Sequence, residues 1–292
     1  MTTLRARIQG GEILLAPGIF DGLSAHLAQE AGAEAIYLSG ASIAYTRHGR
    51  PDIGLVSMSE VADTIALIAD RTDLPLIVDA DTGYGNALNV QRTVRTFEKM
   101  GAGAIQLEDQ SLPKRCGHLA GKELVSKEEM AGKIKAALDA RASEETLIMA
   151  RTDAIAVEGF DAALDRAELY VEAGADILFV EAPASVDHMH AIIKRFGGRV
   201  PLLANMVEGG KTPLLSAKEL QEIGYKLVIF PGGLVRMLVP AIRDYFSSLI
   251  SDGTTAGLQN KMTDFAGVNS AIGTDDLIAL GKTYDNKAAS ND

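Results

Sequence analysis

Eight short runs rich in branched apolar residues recur along the chain: ILLAP (13–17), AIYLSG (35–40), PLIVDAD (75–81), AIQLED (104–109), TLIMARTD (146–153), DILFVEA (176–182), PLLANM (201–206) and KLVIFPGG (226–233). Between them lie segments in which apolar side chains return every three or four positions, among them 58–72, 89–103, 127–141 and 159–175. Ser57 and Ser126 stand where N-caps belong, and a glycine follows the helical segments in AGAEA, KMGAG, EAGAD and EIGYK. The strand runs are apolar throughout instead of alternating, as expected for parallel strands covered on both faces. Eight such units predict a closed (β/α)8 TIM barrel. An open doubly wound sheet is the alternative, but no GxGxxG follows an early strand.

With 292 residues the chain suffices for one such barrel, expected over roughly 10–245, and leaves a helical extension over roughly 246–285 within a single domain of 1–292. Apolar residues make up 47% and charged residues 23%, a globular balance. The formal net charge of −11 argues against nucleic acid as a partner, since phosphate recognition collects Lys and Arg. The N-terminal stretch has no secretory h-region, and no run reaches the ~20 apolar residues of a membrane helix. A soluble, cytoplasmic protein is expected. The single cysteine rules out an internal disulfide.

Polar residues gather where the runs end: Tyr37 and Ser39, Asp79 and Asp81, Glu108 and Asp109, Arg151 and Asp153, Glu181, and Asn205. A barrel brings all these ends to one face, where its active sites lie. Any one of them alone reads best as a loop acid or a cap. Four carboxylates converging (Asp79, Asp81, Glu108 and Glu181) repel unless a cation neutralises them. An all-oxygen set of this kind suits Mg²⁺, with Mn²⁺ as a substitute, better than zinc, because none of the five histidines has ligand spacing near the acids. GYGN (83–86) is too short for a phosphate loop and lacks the Walker lysine, so it reads as a tight turn beside the metal.

The segment 108–129 carries Lys114, Arg115, Cys116, Gly117 and His118 in succession. Two flanking cations are expected to favour the Cys116 thiolate, giving a group able to act as acid or base near neutral pH. The stretch reads as a mobile loop that closes over substrate. NMVEGGKTP (205–213) offers backbone N–H groups, Asn205 and Thr212 to carboxylate oxygens.

Taken together, LPLIVDADTGYGN (74–86), EDQSLPKRCGH (108–118), ARTDA (150–154), VEAPA (180–184) and NMVEGGKTP resemble the isocitrate lyase / phosphoenolpyruvate mutase superfamily over nearly the whole chain. The resemblance implies a Mg²⁺-dependent barrel, and a homotetramer whose C-terminal helices are exchanged between subunits. It implies Asp79 as the direct metal ligand, with Asp52, Asp81 and Glu108 holding the metal's waters. Ser39, Gly40 and Ala41 would take the oxo-acid carboxylate and Arg151 its oxo end. Glu181, Asn205, Thr212, Pro213, Gly117 and His118 would line the rest of the substrate site. Cys116 is implied as general acid, with His118 beside it and Tyr37 as the candidate for the hydroxyl proton.

The implied chemistry is carbon–carbon cleavage of a 2-hydroxy di- or tricarboxylate, as in the 2-methylisocitrate lyase and 2,3-dimethylmalate lyase branches. FPGGL (230–234) departs from both branches, with Gly232 and Gly233 where larger side chains usually stand. Oxaloacetate hydrolysis or decarboxylation, phosphonopyruvate-type mutase chemistry and a non-catalytic metabolite-binding barrel are the competing readings.

Overall fold

The computed structural model describes residues 3–285. Eight parallel strands close a barrel in chain order: β1 (Leu14–Ile19), β2 (Ile36–Leu38), β3 (Leu76–Asp79), β4 (Ala102–Glu108), β5 (Leu147–Thr152), β6 (Ile177–Val180), β7 (Leu202–Asn205) and β8 (Leu227–Phe230). β1 pairs with β8, with Leu14 opposite Leu227, and this pairing closes the ring. Each of the eight runs overlaps one strand, although β1 extends two residues past its run and β4 begins two residues before its own.

Helix α1 (Leu4–Gln9) precedes the barrel; α2 (Gly22–Glu30), α3 (Gly40–Ile43), α4 (Met58–Arg71), α5 (Ala87–Met100) and α6 (Lys127–Ala140) follow β1 to β4, and α7 (Phe160–Glu172), α8 (Val186–Phe196) and α9 (Ala217–Ile223) follow β5 to β7. Ser57 and Ser126 cap α4 and α6 as expected, each accepting from the backbone three residues on. α5 shows how a helix is seated. Its buried residues Val90, Thr93, Val94 and Phe97 fall on one stripe, and burying side chains such as Val94 and Phe97 contributes ~1.5–3 kcal/mol each. The turn of α3 and the π-helical turn at 44–48 that follows were not foreseen, because ASIAYTRH has neither period.

The apolar interior has two layers on either side of the strands. Ile36, Leu38, Leu76, Val78, Ile105 and Leu107 face outward into one cluster with α4, α5 and α6, while Leu178, Leu202 and Val228 face a second with α7, α8 and α9. The residues of opposite parity, Leu14, Ala16, Ile77, Ala104, Leu147, Met149, Ile177, Phe179, Leu203, Leu227 and Ile229, fill the inside of the barrel. Leu4 and Ile8, one turn apart on α1, join that interior cluster and close its floor.

The chain divides into two compact units, Met1–Val235 and Arg236–Asp292. α10 (Gly233–Asp252) runs from one into the other. α11 (Phe265–Ala271) and α12 (Thr274–Asp285) belong to the second unit. There the described apolar side chains are extensively uncovered: Met237 is 75% exposed, Ile250 82% and Phe265 88%.

Candidate active site

The site follows from strand parity. Successive side chains on a strand point to opposite faces, so the inward column that reads Ala35, Ile77, Ala104, Leu147, Ile177 and Leu203 near the floor continues upward at every second residue. The next inward positions are Tyr37, Asp79, Gln106 then Glu108, Met149 then Arg151, Phe179 then Glu181, and Asn205. The column changes from apolar to ionisable at the carboxyl end of the strands, within a single cavity mouth. Asp79, Glu108, Arg151 and Glu181 are all buried.

The loop after β3 turns sharply. Asp81 (φ 47°) and Tyr84 (φ 62°) lie in the left-handed region, as does Ala182 (φ 57°) after β6, so the non-glycine positive-φ residues among those described all sit at this face. Holding them there costs of order 1–3 kcal/mol each. The Asp81 backbone donates to Asp79 Oδ1 at 3.1 Å, and Gln106 Nε2 donates to the same oxygen at 3.1 Å. Gly40, at the start of α3, lies against this pair: a Cβ there would be 3.4 Å from Asp79 Oδ2 and 3.5 Å from Asp81 Oδ1. Ser39 caps α3 through Ser42 N and is thereby fixed beside Gly40 and Ala41.

Lys114 is the cation at the centre of the acid group. Its Nζ lies 2.5 Å from Asp52 Oδ1 and 2.6 Å from Asp81 Oδ1, with all three side chains under a tenth exposed. Burial lifts the Asp81 carboxyl to about 7 despite the pull of Lys114, with Asp79 and Asp52 adding to the rise. Burial also carries Glu108 well above the ordinary carboxylate range, against the opposing effect of Arg151. The expectation that Lys114 serves the cysteine is thus corrected: its charge is spent on carboxylates. Arg115 also turns away, its Nη1 donating to Ala120 O at 2.9 Å.

Arg151 is held from behind by Asp153, through Nε to Oδ2 at 3.0 Å and Nη2 to Oδ1 at 3.1 Å. Its Nη1 lies 3.4 Å from Glu108 Oε2 and its Nη2 3.4 Å from Glu181 Oε2. Burial alone would raise the Asp153 carboxyl, but Arg151 and Lys122 hold it down to about 2. Asn205 Nδ2 donates to Glu181 Oε2 at 3.1 Å. His118 Nδ1 accepts from Lys211 N at 3.3 Å, and its Nε2 lies 3.7 Å from Glu181 Oε1. Burial lowers the His118 pKa, so the imidazole is neutral near pH 7. Thr212 is buried and Pro213 half-buried on the same β7 loop.

Cys116 sits in the loop between β4 and α6. A short bridge between Gln110 and Leu124 pins the loop's neck, and Gln110 exchanges hydrogen bonds of 2.9 Å with Arg115 N and O. Cys116 N donates to Asp52 O at 3.1 Å, joining the loop to the acid group. The expectation of a favoured thiolate fails here. Burial pushes the Cys116 thiol up, the backbone N–H of His118 offsets this only in part, and Asp52 raises it further. These effects together favour the thiol over the thiolate.

Tyr37 is likewise held protonated: burial raises its phenol well above the ordinary value, and its OH donates to Gln106 Oε1 at 3.1 Å. It therefore orients Gln106, which in turn binds Asp79. Gln106 and Lys122 are site residues that the sequence reading passed over. Gln106 could have been found as a polar residue at an inward position of an apolar run. Lys122 carried no comparable signal.

The residues fit a hard divalent ion held largely through water. Glu108 Oε1, Asn205 Oδ1 and Thr212 Oγ1 are buried without a hydrogen-bond partner, which native interiors rarely tolerate outside ligand sites. Among the described residues no three His, Cys, Asp or Glu side chains stand close enough to cage a metal directly. Unpartnered oxygen donors of this kind suit a hard ion that keeps several waters.

Comparison with known proteins agrees with this geometry. A family model described as phosphoenolpyruvate phosphomutase matches residues 4–250. The 2,3-dimethylmalate lyase of Eubacterium barkeri is 43% identical over 281 residues, covering 96% of each chain. The 2-methylisocitrate lyase of Aeropyrum pernix is 47% identical over 259 residues, 89% of this chain and 82% of its own. The structure of an oxaloacetate acetylhydrolase with the inhibitor 3,3-difluorooxalacetate superposes with a TM-score of 0.90 at 33% identity, covering 98% of this chain and 96% of that one. A closed eight-stranded barrel with ionisable side chains at its carboxyl-end mouth, matched over this length by these relatives, places the chain in the phosphoenolpyruvate mutase / isocitrate lyase superfamily.

Proposed function

We propose that the chain is a Mg²⁺-dependent carbon–carbon lyase that cleaves a substituted malate, such as 2,3-dimethylmalate, into a 2-oxo acid such as pyruvate and a carboxylic acid. 2-Methylisocitrate is the competing substrate. The observation that carries the reading is the placement of the Cys116 thiol on a loop whose next residue, Gly117, packs against Arg151 and Glu181. This is a proton donor beside a cation, as cleavage to a carbanion requires.

In the reaction the 2-hydroxyl gives up its proton, the C–O bond becomes a carbonyl, and the Cα–Cβ bond breaks with its electron pair moving to Cβ. Cys116 delivers a proton to that carbon. One proton is removed and one supplied. Arg151, fixed by Asp153, neutralises the developing oxyanion. Tyr37 serves as a donor that aligns Gln106 and Asp79, and the hydroxyl proton falls to a carboxylate of the site. When bound, Mg²⁺ supplies further positive charge toward the 2-oxo acid oxygens; Asp79 would hold it directly and Asp52, Asp81 and Glu108 through water. Ser39, Gly40 and Ala41 at the start of α3, with Asn205 and Thr212, take the substrate carboxylates, and Pro213 lines the site beside them. Glu181, hydrogen-bonded by Asn205, and neutral His118 line the side of the site facing the loop.

The uncovered apolar side chains of the second unit support a homo-oligomer, proposed as a tetramer formed through the C-terminal helices. The likeness to an oxaloacetate acetylhydrolase favours oxaloacetate hydrolysis as the second reading. A side-by-side assay of 2,3-dimethylmalate, 2-methylisocitrate, other 2-alkylmalates and oxaloacetate, with EDTA and Cys116→Ser controls, decides between them. Cleavage of a hydroxy acid that both controls abolish upholds the lyase. Turnover of oxaloacetate alone replaces it.

A further inference from the structure

Lys122 is a lysine at the far end of the catalytic loop whose side chain is 1% exposed. Its Nζ donates to two acceptors: the carbonyl of Gly117 and Asp153 Oδ1, the latter at 2.8 Å. These partners belong to different parts of the machinery. Gly117 is the loop residue following Cys116, and Asp153 is the carboxylate that grips Arg151 through two hydrogen bonds. The Asp153 backbone is itself anchored, donating to Asp109 Oδ1 at 2.9 Å. One ammonium thus links the loop that carries the thiol to the support that aims the guanidinium.

We infer that Lys122 is a positioning residue that latches the Cys116 loop onto the Arg151–Asp153 pair, so that the thiol and the guanidinium are set in register together. This rests on the reading of Cys116 and Arg151 as partners on one substrate. Without the latch, Arg151 keeps Asp153 and still binds substrate oxygens, while the Gly117 carbonyl loses its donor and the loop opens more often. The expected signature is a fall in kcat with KM nearly retained, since a misplacement of an ångström can cost ~10²-fold.

The chain's single cysteine makes the test direct, because alkylation by iodoacetamide reads Cys116 alone. In Lys122→Met, measured well below its unfolding temperature, alkylation is expected to accelerate about tenfold as local opening becomes easier, with kcat down about 100-fold and KM within about threefold. A residue that only stabilised the fold would lower the unfolding temperature and leave alkylation of the folded enzyme unchanged; that result overturns the proposal. Should Lys122→Met not fold, Lys122→Arg keeps a charge near Asp153 but cannot hold both contacts at lysine length. Faster alkylation of that folded variant supports the latch, and an unchanged rate removes it. Alkylation needs no substrate, so the latch can stand or fall even if none of the hydroxy acids is turned over.

Discussion

Gly117 and Arg151 are in direct contact: a Cβ added at Gly117 would come within 2.4 Å of Arg151 Nη2 and 2.9 Å of Glu181 Oε2. The loop backbone therefore rests on the guanidinium itself. Gly117→Ala is expected to push one of them aside and lower kcat/KM by ~10²-fold or more, with little change in the unfolding temperature because the loop is peripheral to the core. Wild-type kinetics for this variant would show that the closed loop is not the working one.

Cys116→Ser should abolish turnover while leaving binding of a 2-oxo acid such as pyruvate, read by calorimetry with Mg²⁺ present, within a few-fold of the parent. Because burial raises the thiol above its ordinary range, the proton donor persists across neutral pH and is lost only on the alkaline side. Iodoacetamide inactivation should accordingly be slow at neutral pH and rise steeply into the alkaline range. A fast, pH-independent reaction near neutrality would mean that the thiolate is the resting form.

On the proposed metal assignment, Mg²⁺ and protons compete for the acid group. The Asp81 carboxyl titrates at about 7 in the folded chain against an ordinary 3.8, so the metal-free fold holds a proton that the unfolded chain has released. That contribution is fully present below the ordinary value and is lost as pH rises through about 7. Mg²⁺ requires the deprotonated carboxylates, so it should raise the unfolding temperature more at pH 8 than at pH 5.5, and Asp79→Ala should remove the effect. A larger shift at the acidic pH would contradict the assignment.

Behind the site, Asp109 is fully buried and accepts from Thr152 Oγ1 at 2.7 Å, Tyr170 OH at 2.9 Å and Asp153 N at 2.9 Å, with Arg166 Nη1 at 3.5 Å. Asp109→Ala leaves these donors and a buried guanidinium without their acceptor, and should cost ~3–5 kcal/mol in denaturant unfolding. A cost below about 1 kcal/mol would show that the network contributes little.

In the second unit, Ile250→Glu and Phe265→Glu place charges on strongly exposed apolar positions. If these positions are covered by another copy, the substitutions should shift the sedimenting species to smaller mass at unchanged helix content. An unchanged mass would place the subunit contact elsewhere.

The eight strands were legible because a parallel barrel strand is apolar on both faces, and the run ends were legible because the chemistry begins where the inward column turns polar. Charge direction was not. Lys114 and Arg115 flank Cys116 in the sequence, but one points at Asp52 and Asp81 and the other at a loop carbonyl, so the thiol gains no stabilising cation from either. Neighbours along a loop are not neighbours in space. Lys122 was missed for the same reason: its partners are 5 and 31 residues away, and only the folded loop brings them together. The π-helical turn at 44–48 escaped because its pattern belongs to no regular period.

The plug formed by Leu4 and Ile8 lies at the opposite end of the barrel from Asp79 and Arg151, with the apolar layers of Ile77, Met149 and Phe179 between. Variation can therefore be partitioned by height. Libraries confined to the upper inward positions can explore new substrates against an unchanged foundation, while changes to the floor alter how long the protein lasts without altering what it cuts. The evolvability of this chain is written in its vertical axis.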